Sequence, residues 1–400
     1  MTFRPTLLAL FFVIFSMGHA QEIKAPAFGD GILNLKAKDS TWSMKVGMQL
    51  QFQGFADWED ENTGFSNAET NFLIRRARLK FSGFVYSPKL TYKLSIGLSN
   101  RDISGASKYT SNAPRYLLDA VMKWNFYKNF ELWFGQTKLP GNRDDLTSSS
   151  SLQLVERSLV NGAYAVERDL GFQLRHHFKL SEDFIIKEAF AISQGEGRNI
   201  TSGNIGGFQY TSRLEFLPLG DFIKKGDYVG GDIYREPTPK LAIGATYDFN
   251  NKAVKTKSNR GTYMITDTGF YETNISTLFI DAIFKYQGFS LMAEYADRTA
   301  ADPLAKHSDG TLTGDSVQIG NGVNFQAGYV FENNWELTGR YTNINFDNAM
   351  IVKNLQNQYT LGVSKYILGH NLKVQTDVSY LTMNLSNDEL LWRLQFAIHF

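Results

Sequence analysis

The chain has 400 residues, enough for two or three soluble domains or for one large closed sheet, so length alone decides little. Its 41 Lys and Arg against 40 Asp and Glu leave a formal net charge of +1, which excludes a whole-molecule field for nucleic acid or an anionic membrane surface; any ion preference has to be local. The lack of cysteine excludes disulfides, thiolate metal sites, a cysteine nucleophile and a lipidated N-terminal cysteine. A 14% aromatic content with 34 glycines and a mean hydropathy of -0.27 fits strands and turns with half their faces wet.

At the N-terminus Arg4 precedes the apolar run Leu7 to Phe15, and Gly18-His19-Ala20 supplies small residues where a signal peptidase cuts. Residues 1–20 are therefore expected to be a signal peptide and 21–42 a short periplasmic segment. No later run of about 18 apolar residues follows, so no helix is expected to span a bilayer.

From Ser43 onward the period is two. Met44, Val46, Met48, Leu50 and Phe52 alternate with Lys45, Gly47, Gln49, Gln51 and Gln53, and Leu90, Tyr92, Leu94, Ile96 and Leu98 with Lys89, Thr91, Lys93, Ser95 and Gly97. Leu278, Ile280, Ala282 and Phe284 oppose Thr277, Phe279, Asp281 and Ile283. The last segment sets Leu390, Trp392, Leu394, Phe396, Ile398 and Phe400 against Leu391, Arg393, Gln395, Ala397 and His399. Such alternation marks a transmembrane strand with lipid on one face and water on the other. It predicts an all-β antiparallel barrel over 43–400 with about sixteen strands, at 43–56, 71–85, 89–99, 115–126, 130–138, 168–178, 183–194, 207–216, 239–250, 274–286, 288–298, 318–331, 334–345, 357–367, 371–383 and 389–400.

Short links, as at Tyr86-Ser87-Pro88 or Gln287, alternate with long polar stretches, matching short periplasmic turns and long outer loops. The connection 217–238 breaks the pattern: long where a turn is due, it reads as a folded periplasmic excursion or a missed hairpin. Parity turns fifteen basic residues inward, among them Arg76, Arg78, Lys80, Lys93, Lys123, Arg175, Arg213 and Arg340, with nine acids: Asp119, Glu131, Asp169, Glu215, Asp248, Asp281, Glu294, Glu336 and Asp377. Unpaired charge is too costly in a dry core, so the lumen is expected to hold water, with anions favoured. Arg75, Lys365 and Glu188 fall on the lipid side. Aromatic clusters near strand ends, as at Trp124 to Tyr127 and Phe331 with Trp335, fit interfacial girdles.

Phe72-Leu73-Ile74-Arg75-Arg76-Ala77-Arg78-Leu79-Lys80-Phe81-Ser82-Gly83 resembles the second-strand signature of the phosphate-selective porins O and P, as does Gly135-Gln136-Thr137-Lys138-Leu139-Pro140 leading into Val155-Glu156-Arg157-Ser158. The resemblance implies a sixteen-stranded trimeric outer-membrane channel in a Gram-negative cell, with a loop folded inward as a constriction around 139–167 and Arg and Lys guiding phosphate-like anions. It places Arg143 and Arg157 in that loop beside the strand residues Arg76, Arg78 and Lys80. The loop lacks an Arg-rich run, and Asp144, Asp145 and Glu156 offset its charge, so a general porin of the same family is the alternative. The terminal strand ending in Phe400 looks like the signal read by the barrel insertion machinery.

Other chemistry finds little footing. His176 and His177 are adjacent, so on a strand they face opposite sides and share no metal. Asp144-Asp145 lacks the spaced oxygen ligands of a cation site, Gly195-Glu196-Gly197 precedes no helix pattern, and no Ser, His and acid set can be picked out without geometry. A barrel enzyme and a plugged receptor, which needs a large N-terminal domain, are the weaker alternatives; no enzyme activity and no cofactor are expected.

Overall fold

A computed structural model describes residues 26–60, 64–103, 105–202, 204–347, 355–384 and 386–400. The proposed signal peptide lies outside them. The described residues form sixteen long strands: β1 (Ser43–Asp60), β2 (Phe65–Val85), β3 (Ser87–Gly97), β4 (Leu117–Tyr127), β5 (Phe130–Lys138), β6 (Arg168–Lys179), β7 (Ile185–Ser193), β8 (Gln209–Leu217), β9 (Lys240–Ala253), β10 (Thr273–Tyr286), β11 (Phe289–Ala300), β12 (Gly320–Val330), β13 (Trp335–Phe346), β14 (Leu355–Leu368), β15 (Leu372–Met383) and β16 (Glu389–His399). Each pairs antiparallel with its neighbours in sequence, and β1 pairs with β16 from Gln49↔His399 to Glu59↔Glu389, so the sheet closes. Closure is what lipid demands, since an open edge would strand backbone N–H and C=O groups in hydrocarbon. All sixteen predicted spans are present, with ends displaced by a few residues.

Alternation decides which face each side chain takes. Leu361 (60% exposed), Phe134 and Phe172 stand outward, while Gln49, Gln51, Thr360 and Gln395 point in and are buried. Aromatic residues gather near strand ends, where Trp124, Tyr127, Phe331 and Trp335 are all exposed on the outer face; Tyr247, also exposed, sits instead at the middle of β9. Lys365 lies outward as expected, its Nζ donating to Asn333 O (2.6 Å) beside the Trp335 ring. Glu188 also faces outward, 3.0 Å from Nδ1 of its cross-strand neighbour His176, whose ring stacks on Phe130.

Tight turns join the strands at one rim. Gln287 and Gly288 both adopt positive φ between β10 and β11, and a Cβ on Gly288 would stand 2.5 Å from Val330 O, so glycine is required there. Below β1 a short strand, Leu33–Lys36, adds to its lower end, and Phe28 packs edge-on against Phe400 (5.1 Å).

Two expectations need correction. Arg75 does not face lipid: the β1–β2 register skips it, pairing Gln51 with Arg76 and Phe52 with Ile74. The extra residue forms a β-bulge, which resets the alternation and turns Arg75 inward beside Arg76. The connection 217–238 hides no strand pair; it folds from the short-turn rim up into the barrel, with 3-10 turns over Ile223–Tyr228 broken by a left-handed kink at Lys224 and Lys225.

Leu361→Arg places a cation against lipid at mid-strand and should lower unfolding stability in vesicles by about 2–4 kcal/mol. A change within about 0.5 kcal/mol, the scale of a neutral surface substitution, would contradict the outward assignment.

Candidate functional site: a cation-lined lumen

Residues 139–167 enter the barrel between β5 and β6 and carry two short helices, α1 (Arg143–Leu146) and α2 (Leu159–Tyr164). The α2 residues Val160, Ala163 and Tyr164 settle on apolar side chains that the strands turn inward: Ala191, Phe279, Ala296, Ile344 and Phe346. The segment 218–239 meets them from below. Its Phe222 sits among Ile185, Leu217, Ala242 and Ile283, and its Gly230 N donates to Ser151 O (2.8 Å). Together the two segments fill the lumen along β8 to β15.

The charges on that side of the wall are consequently removed from water, and each finds a partner. Arg143, fully buried, donates from Nε to Asp281 (2.8 Å), from Nη2 to Glu215 (3.0 Å) and from Nη1 to Asp227 O (2.9 Å). Arg213 joins the same knot through Glu215 and Asp281 (2.7 Å), and Tyr228 donates its hydroxyl to Glu215. Nearby, Lys285 donates to Val229 O (2.7 Å) and Lys373 to Leu152 O (2.6 Å), while Glu336 accepts from Gln153 (2.6 Å) and Asp377 from Val155 N (3.0 Å).

Open space remains along β2 to β7, as two cavities. The upper one, about 540 Å³, lies toward the long loops; the lower one, about 720 Å³, faces the short-turn rim. Lys93, Asp119, Lys138 and Leu146 line both and form the waist between them. Among the described residues, thirteen Arg and Lys line the upper cavity against four carboxylates: Asp102, Asp119, Asp145 and Glu167.

The ten candidate residues divide accordingly. Arg76, Arg78, Lys80, Lys93 and Arg157 line the upper cavity, and Lys93, Lys123, Arg175 and the edge of Arg213 the lower. Arg143 and Arg213 belong to the buried knot, and Arg340 lies behind the loop, donating to Glu156 O (2.8 Å). Arg76 is oriented by Gln51 (2.6 Å) and Arg78 by Asp102 (2.8 Å) and Ser149 (2.9 Å); Arg157 spends donors on Asp144 O (2.8 Å) and Thr147 O (2.6 Å). Burial raises the Glu156 carboxyl, yet the guanidiniums of Arg76 and Arg75 outweigh it and hold that group down at about 2. Sequence parity missed Arg75, Arg101, Arg115, Lys138, Arg168, Arg198, Lys255 and Arg260 in the upper cavity. Arg75 lies on β2, and Lys138 and Arg168 are the end residues of β5 and β6 where the inward loop joins them; the rest come from the long outer connections, where no period says which way a side chain points.

A closed barrel whose lumen holds a wall-bound loop beside charge-lined cavities defines the class: an outer-membrane β-barrel channel. Residues 44–391 match the family model of the phosphate-selective porins O and P, and the chain belongs to that family. An uncharacterized protein of Aquifex aeolicus (strain VF5) is 25% identical over 396 residues, 89% of this chain and 87% of that one. Among solved structures, the outer membrane channel DcaP of Acinetobacter baumannii aligns over 91% of this chain and 99% of its own (TM-score 0.53, 10% identity). The anion-selective porin from Comamonas acidovorans aligns over 90% and 100% (TM-score 0.52, 11% identity). At such identities these structures share the fold.

Because Arg143 is buried among carboxylates, Arg143→Gln should cost about 3–5 kcal/mol of unfolding stability in vesicles. Arg75→Gln, at a partly exposed pair with Arg76 still holding Glu156, should cost about 1 kcal/mol or less. Equal losses would contradict the division into fasteners and cavity-lining cations.

Proposed function

We propose that this outer-membrane channel passes small anions in preference to cations, with phosphate-type oxyanions as the favoured class. One observation carries the reading: the imbalance of thirteen cationic side chains over four carboxylates around the upper cavity, in a chain whose net charge is only +1. An anion leaving bulk water gives up part of its hydration, and guanidinium and ammonium N–H donors replace it along the path. Arg76, Arg78 and Lys80 form a ladder on β2, Lys93 and Lys138 stand at the waist, and Lys123 and Arg175 continue the series below. Segment 139–167 acts as the constriction. The channel works as a homotrimer, reaching the outer membrane after removal of residues 1–20 and inserting through the strand that ends in Phe400.

The family's description supports phosphate as the natural solute. The competing reading, a general anion channel, is favoured by the ion pairs that occupy part of the ladder: Arg78 with Asp102, Lys93 with Asp119 (3.1 Å), and Arg75 and Arg76 with Glu156. Competition separates the two, because a phosphate-selective channel loses chloride current when phosphate is added at far lower concentration.

Reversal potentials in a KCl gradient across planar bilayers provide the test. The wild-type channel should prefer chloride. A unit charge in contact with the ion is worth about 1 kcal/mol in water, a factor of about five, so Arg76→Ala with Arg78→Ala should lower the chloride-to-potassium permeability ratio by about that much or more. A potassium-preferring wild type would refute the proposal, and an unchanged ratio in the double variant would leave these arginines as wall.

A further inference from the structure

Below the waist, one aromatic side chain stands in the lumen. Trp133 projects inward from β5, with Lys123 of β4 opposite it in register and Arg175 of β6 diagonal to it on the other side. The Lys123 Nζ lies 3.6 Å from the Trp133 ring centroid and the Arg175 guanidinium 4.1 Å from it. All three side chains are half-buried and line the lower cavity. Register also sets the carboxylate of Glu131 directly across from Arg175, yet no ion pair forms between them among the described residues. Glu131 instead accepts a hydrogen bond from Trp133 Nε1 (2.7 Å). The other polar partner of Arg175 is the neutral amide oxygen of Gln173 (2.9 Å from Nη2).

The indole therefore performs two tasks at once. Its faces hold two cations by attraction to the ring quadrupole, which fixes their position without cancelling their charge. Its N–H occupies Glu131, the acid that register sets directly across from Arg175, while Asp119 and Glu215 of the same cavity are engaged by Arg168 and Arg213. A carboxylate in the same position would orient the cations equally well and erase the local field. We propose that Trp133 is a specificity-setting positioning residue of the channel: it keeps Lys123 and Arg175 out of direct contact with a carboxylate in the lower cavity, so that their N–H donors receive oxyanions, phosphate or carboxylate, after these clear the waist. The proposal rests on the anion reading above, and its failure is separable from failure of that reading.

The test uses full-length channels in planar bilayers under a KCl gradient. Trp133→Leu removes both ring faces and the N–H, so Glu131 turns to Arg175 and the chloride-to-potassium permeability ratio falls by about twofold or more. Adding Glu131→Gln to that variant restores the ratio, whereas Glu131→Gln in the wild-type background changes it by less than that recovery; equal changes in the two backgrounds would mean that Trp133 does not hold Glu131 away from Arg175. Trp133→Phe, which keeps the bulk and the faces but not the N–H, gives the same Glu131-dependent fall and serves if the leucine variant does not assemble. An unchanged ratio in both Trp133 variants overturns the proposal, as does a fall that Glu131→Gln leaves in place. A wild-type channel that prefers potassium ends the anion reading itself, and the wild-type record alone shows that outcome.

Discussion

A charge withdrawn from water must find a partner, and that constraint organises the interior of this barrel. The knot of Arg143, Arg213, Glu215 and Asp281 satisfies it at the point where the loop from above, the segment from below and the wall all meet. An unpartnered ion at such a site would cost several kcal/mol, so the two segments are held where the strands place complementary charge. With β8 to β15 covered by polypeptide, water and ions are left the strip along β2 to β7.

The cations consequently serve two ends. Those facing the filled side act as fasteners: Lys285 and Lys373 donate to backbone carbonyls of the inserted segments, and Arg298 donates to Tyr164 O and to Thr277 (2.9 Å). Those facing the open strip supply the field an entering anion meets. A net charge of +1 is compatible with both, because acids concentrate in the packed half and cations in the open half. Glu156 belongs to both: it tethers the loop to Arg75 and Arg76 and takes part of their charge out of the path.

Much of this was legible in the sequence, since a strand with lipid on one side and polar lumen on the other has to alternate at period two. Strand number, the short and long rims, and the inward turn of Arg76, Arg78 and Lys80 all follow from that period. The rule failed at Arg75, where a bulge inserts one residue and resets parity, something no local property of Ile74-Arg75-Arg76 announces. It also overstated how much of the lumen is water. The signal for the filled half was present in Phe279 and Ile283, apolar residues on the wet face of β10, which mark seats for α2 and Phe222. The loop-borne cations Arg101, Arg115, Arg198, Lys255 and Arg260 had no period to place them, so the strength of the upper field emerged only from the three-dimensional arrangement.

Because the chain contains no cysteine, a single introduced thiol reports on one position at a time. The most direct test of a one-sided, cation-lined path compares Lys80→Cys, on the open strip, with Ser290→Cys, beneath the inserted loop, using a small anionic thiosulfonate reagent during current recording. Rapid modification with a drop in chloride current at position 80, and none at 290, is the predicted result; ready modification at 290 with position 80 silent would contradict the account.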